Sequence, residues 1–72
     1  MKEHKITNAE DLGVQIRTRR GELRLTQVEV ADVARVSPRL VVELEHGKST
    51  ARLEGVMRVL AVLGLDIYLR SR

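Results

Sequence analysis

The sequence of 72 residues contains no cysteine, phenylalanine or tryptophan, and only one tyrosine and one proline. Without cysteine there are no disulfide staples, no thiolate nucleophile and none of the commoner zinc sites. The two histidines, His4 and His46, lie too far apart in sequence to suggest a local metal pair. With aromatics at 1%, stacking platforms for single-stranded nucleic acid are missing, and the core has to come from Leu, Val, Ile, Ala and Met. No apolar run approaches the roughly 18 residues of a membrane span. The first eight residues also lack the apolar stretch of a secretion signal, so no membrane contact and a cytoplasmic location are expected. Catalytic constellations are absent too. There are no paired carboxylates beside an apolar wall, no Cys/His or Ser/His/Asp order and no glycine-rich phosphate loop, so the sequence is read as a non-enzyme without cofactor or metal.

What is present is a chain long enough for one small domain, 43% hydrophobic, with thirteen basic residues against ten acidic ones. The net charge of +3 is carried mostly by arginine, whose planar fork suits phosphates and base edges. The isoelectric point is near 10.0. So small a core predicts extra burial by oligomerisation.

Residues 1–7 are charged and aperiodic and read as a flexible tail. Thr7 and Glu10 have the spacing of a capping box, and Leu12, Ile16 and Leu23 follow at helical intervals, which predicts a helix over about residues 8–22. A second box, Thr26 with Glu29, opens a short helix that offers Val30, Ala31 and Val33 or Ala34 to the core and ends near Ala34. Ser37 as N-cap and Pro38 at the first helical position start a third helix, through Leu40, Val41 and Leu44, closed by Gly47. Thr50 is expected to cap a fourth helix over residues 51–63, before Gly64.

In that fourth helix Leu53, Val56, Met57, Leu60 and Leu63 form one stripe, and Val59 and Val62 widen it beyond what one core needs. Residues 65–70 then switch to alternation, with Leu65, Ile67 and Leu69 on one face and Tyr68 between them, which reads as a strand. No second strand is available to pair with it. The simplest completion is the same strand of a two-fold related copy, so Val59, Val62, Leu63, Leu65, Ile67, Tyr68 and Leu69 are assigned to a homodimer interface. The alternative is a frayed tail beside ordinary exposed valines. The fold class expected is all-α, with a helical domain over residues 8–64 and a dimerisation strand and tail over residues 65–72.

The second and third helices are joined tightly at Arg35 and Val36, the spacing of a helix-turn-helix. The third carries Ser37, Pro38 and Arg39 at its N-terminus, where the helix dipole favours phosphate and a long arginine can reach a guanine edge. Gln27 lies in the first turn of the second helix, as a phosphate contact or a solvated polar residue. Arg17, Arg19 and Arg24 read equally as a phosphate-binding rim or as a solvated face. Lys48, after the third helix, adds a further cation for the DNA backbone. His46, in the last turn of that helix, receives no catalytic role.

Leu25, Thr26, Gln27, Val30, Ala31, Val36, Ser37, Leu44, Glu45, Gly47 and Lys48 recur at the offsets of phage repressor and Cro domains. Over about residues 8–70 the chain resembles the XRE-type regulators. Within them it resembles the HipB-like antitoxins, on the run from Gly64 to Arg70, the compact size and the approach to the fourth helix from Lys48 to Ala51. The resemblance implies a phage-repressor-like domain of four helices with a C-terminal β-strand shared across a homodimer. It further implies a repressor of its own operon that binds an inverted-repeat operator in double-stranded DNA, together with a HipA-like serine/threonine kinase toxin. It makes Gln27 a phosphate contact and Ser37, Pro38, Arg39, Val42 and Glu43 the exposed recognition positions. It also pairs Arg20 with Glu45, a role that is structural.

Arg24 and Arg35 stand where relatives usually have glycine in a left-handed backbone, and each would cost on the order of 1 kcal/mol if that conformation is kept. Either the turns differ, or added phosphate contacts by these arginines offset the strain. Val42 and Glu43 are poor readers of DNA, since valine reaches only a thymine methyl and glutamate repels phosphate unless it meets a cytosine amino group. Besides the antitoxin, a stand-alone repressor of phage or restriction-controller type and a protein-interaction module that has lost DNA binding remain as alternatives.

Overall fold

The computed structural model describes residues 3–72; Met1 and Lys2, the first two residues of the expected tail, lie outside the described residues. Four helices follow in order: α1 (Ala9–Glu22), α2 (Gln27–Ala34), α3 (Pro38–Glu45) and α4 (Leu53–Val62). Among the described residues none of these is long and apolar enough to cross a membrane.

Local side-chain chemistry starts three of the helices. The α2 box forms as expected, the Thr26 hydroxyl accepting from the Glu29 amide at 3.0 Å and the Glu29 carboxylate from the Thr26 amide at 2.8 Å. Ser37 accepts from the Leu40 amide, with Pro38 at the first helical position of α3. At α1 the cap is one residue later than the spacing of Thr7 and Glu10 suggested. Asn8 accepts from the Asp11 amide at 2.8 Å, and the Asp11 carboxylate takes both the amide and the hydroxyl of Thr7. The start of α4 also departs from expectation. Ala51 is packed against the core, Arg52 is extended (ψ 134°) and has no side-chain cap, and the helix begins at Leu53, so Thr50 caps nothing.

All four helices end alike, with a residue at positive φ whose amide, and that of its successor, return to the last carbonyls. Those residues are Arg24, Arg35, Gly47 and Gly64, at φ 56°, 59°, 81° and 69°. After α2, for example, Arg35 donates to the Asp32 carbonyl and Val36 to that of Ala31. The turns therefore keep the left-handed backbone despite the arginines. Arg24→Gly and Arg35→Gly are each expected to raise stability by about 0.5–1 kcal/mol, seen as a higher denaturation midpoint. A lower midpoint would mean that the arginine side chain contributes more than the strain costs.

The core joins Ile16 of α1, Val30, Ala31 and Ala34 of α2, Val41 and Leu44 of α3, and Val56, Val59, Leu60 and Leu63 at α4. This corrects the expected division of α4. Val59 and Leu63, assigned to the dimer face, are wholly buried within the chain's own core, whereas Leu53 and Met57 are 66% and 51% exposed. Residues 65–72 form no strand within this chain. Leu65 packs half-buried against the core, and Ile67, Tyr68 and Leu69 are exposed.

Candidate nucleic-acid interface

The face formed by α2, its turn and α3 is fixed from beneath by one polar network. Arg20 of α1 pairs with Glu45 of α3 through two bonds, Nε to Oε2 at 2.6 Å and Nη2 to Oε1 at 2.9 Å. Its Nη1 also donates to the Leu25 carbonyl at 2.9 Å. The side chains are 19% and 4% exposed, so the pair is largely withdrawn from water. Gln27, the first residue of α2, donates from its amide nitrogen to Glu45 Oε1 at 3.2 Å. Burial pushes the Glu45 carboxyl up, but the bonds from Arg20 and Gln27 outweigh it and hold the group below the ordinary carboxylate range. The Glu45 carboxylate thus ties α1 and the start of α2 to the end of α3, and Arg20 adds the turn before α2.

Above this anchor α3 presents its polar residues. Ser37 and Pro38 are exposed at its start. The Ser37 oxygen accepts from the Leu40 amide while its O–H remains a donor. Arg39 has a side chain 85% exposed. Val42 and Glu43 are half-buried, and the Val42 carbonyl faces the His46 ring at 2.8 Å. Glu43 and Lys48 are joined at 2.7 Å. Arg35, in the turn, and Arg24, before α2, are exposed.

The structure brings Ser37, Pro38, Arg39, Val42, Glu43 and Lys48 together, but it does not add Arg19 to them. The Nε of Arg19 donates to the Leu63 carbonyl at 2.9 Å, closing the end of α4, with Glu22 at 3.4 Å on the other side. Gln27 likewise turns an amide N–H to Glu45, and in the first turn of α2 the Glu29 amide is taken by the Thr26 hydroxyl, which leaves the backbone amides of Gln27 and Val28 as the donors without an intrahelical partner.

Gly13 escaped the sequence reading. It is buried in α1, and a Cβ there would stand 2.4 Å from the Leu44 carbonyl oxygen, so only glycine lets α1 lie this close to the end of α3. The one available signal was a glycine inside a helical pattern.

Residues 11–72 match the family described as Helix-turn-helix domain. The uncharacterized HTH-type transcriptional regulator y4mF of Sinorhizobium fredii is 43% identical over 63 residues, 88% of this chain and 83% of that protein. A chain of the HipA-HipB-O2-O3 complex superposes with a TM-score of 0.88 at 20% identity, covering 96% of this chain and 97% of that one. The clp gene regulator ClgR from C. glutamicum superposes with a TM-score of 0.72 at 32% identity, covering 86% and 80%.

Proposed function

Because the chain belongs to the helix-turn-helix family of XRE-type DNA-binding transcriptional regulators, we propose that it is a homodimeric repressor and the HipB-like antitoxin of a two-gene module. In this reading two α3 helices enter successive major-groove faces of an inverted-repeat operator, with Arg39 as the main base contact. The anchored first turn of α2, with Gln27, meets the phosphates, as do Arg24, Arg35 and Lys48. The dimer occludes its own promoter in the cytoplasm and holds a HipA-like kinase on surfaces away from the DNA. Inhibition is by binding, since the chain offers no phosphatase chemistry.

The observation that carries this reading is the likeness to the chains of the HipB-operator complexes over 96–97% of this chain, coverage too high to leave all of residues 65–72 out. Those residues expose Ile67, Tyr68 and Leu69, apolar surface suited to a ribbon shared with a second copy. Leu53, Met57, Ala61 and Val62 of α4 are the helical apolar residues left for that contact. Truncation after Gly64 is expected to give a monomer or an aggregate in sedimentation; an intact dimer after truncation eliminates the ribbon.

The test of the antitoxin role is co-expression with the neighbouring reading frame, measuring complex formation and rescue of growth. A neighbour that is no kinase, or never co-purifies, favours the stand-alone repressor. That second reading is supported by the regulator-only name of the 43% identical relative.

A further inference from the structure

We propose that Glu43 is a positioning residue for base readout, holding Arg39 and Lys48 on one carboxylate so that Arg39 meets a single base pair in a fixed pose. This rests on the DNA-binding reading above. Glu43 lies one helical turn after Arg39, and its Oε2 is 3.7 Å from Arg39 Nε and 2.7 Å from Lys48 Nζ. Lys48 is tied a second time, its backbone amide donating to the Glu43 carbonyl at 3.0 Å in the turn that ends α3. Two cations and one anion therefore share a small surface at which Arg39 is 85% exposed and Glu43 26%.

An unpaired carboxylate there would repel a duplex, whereas the triad carries a net positive charge. The bond from Lys48 is the main reason that the Glu43 carboxyl is held below the ordinary range, so the anion persists through neutral pH. With Nε turned toward Glu43, the two Nη groups of Arg39 remain as the forked donor pair that guanine O6 and N7 accept. Unrestrained, so exposed an arginine would reach several bases and phosphates. The competing role for Glu43 is direct acceptance from a cytosine amino group.

The experiment selects duplexes from a randomised pool with the wild-type protein. It then measures Glu43→Gln, Arg39→Ala and the double variant on the consensus, on each single-base change of a half-site and on an unrelated duplex. Arg39→Ala should flatten the preference at one base pair by about 10-fold. Glu43→Gln should flatten the preference at that same pair by about 3-fold and raise affinity for the unrelated duplex by about 3-fold, since each protomer loses a negative charge beside the phosphates. In the Arg39→Ala background Glu43→Gln should change no base preference. Glu43→Asp, which keeps the charge and shortens the arm, should lose discrimination without gaining affinity for the unrelated duplex. A change at a different base pair, a change independent of Arg39, or undiminished discrimination in both Glu43 variants overturns the inference while leaving DNA binding intact. A wild-type pool without any consensus overturns the DNA-binding reading itself and this inference with it.

Discussion

Arg20→Ala is expected to lower the unfolding free energy by about 3 kcal/mol or more at neutral pH, because it strands a buried carboxylate. Glu45 has a side chain only 4% exposed, and Arg20 supplies two of the three bonds it accepts from side chains. The same change frees the Leu25 carbonyl that steadies the turn before α2. The pH dependence separates this account from a simple loss of packing. In the wild-type protein the Glu45 carboxyl is depressed, so its contribution is present above the ordinary carboxylate range and disappears as pH falls through the folded-state value. In the variant the lone buried carboxyl is raised instead, and protonation relieves it. The deficit of the variant should therefore be greatest near neutrality and shrink below about pH 5 in chemical denaturation. A deficit unchanged across that range would assign Arg20 to packing alone.

Gly13→Ala should be at least as damaging. A methyl 2.4 Å from the Leu44 carbonyl oxygen and 3.1 Å from that of Glu45 meets backbone, which cannot rotate away, so α1 and α3 have to separate. The cost is about 3 kcal/mol or more, out of the roughly 4–11 kcal/mol expected for a domain of this size. The separation would also pull Arg20 from Glu45, so duplex binding should weaken along with stability. Gly21→Ala is the internal control. It lies in the same helix, nothing stands within 4 Å of the added methyl, and a modest gain of about 0.5–1 kcal/mol is expected. Equal denaturation midpoints for the two variants would contradict the close approach of α1 to α3.

The difference between what the sequence revealed and what it hid follows from the range of the interactions involved. The starts of α2 and α3 were legible because Thr26 with Glu29, and Ser37 with Pro38, settle them within four residues. At α1 two adjacent cap candidates, Thr7 and Asn8, compete, and the spacing alone chose the wrong one. The face of α4 was ambiguous because so many of its positions are apolar that two stripes, slightly rotated from one another, share Val56, Leu60 and Leu63. Packing against α2 selected Val59 and left Met57 outside. Arg19 and Arg20 are indistinguishable as neighbouring charges on one helix. Only the placement of Glu45 and the end of α4 turns one inward and the other onto Leu63. That the proposed recognition positions from Ser37 to Lys48 share one surface was legible because they lie on one short helix and its turn, where sequence neighbours are also spatial neighbours.

The central claim is that α3, steadied by Glu45 and presenting Arg39, reads duplex DNA within a two-fold dimer. It is tested most directly by fluorescence anisotropy with a selected inverted repeat and a scrambled duplex over a range of salt concentrations. Two copies of Lys48, Arg24, Arg35 and the first turn of α2 could neutralise roughly 4–8 phosphates, which predicts a log-log salt slope of several units. The inverted repeat should be bound much more tightly than the scrambled duplex at physiological salt, with two chains per site. Equal affinity for both duplexes, or an affinity that hardly changes with salt, would contradict the account and leave the chain as a protein-interaction module with a helix-turn-helix shape.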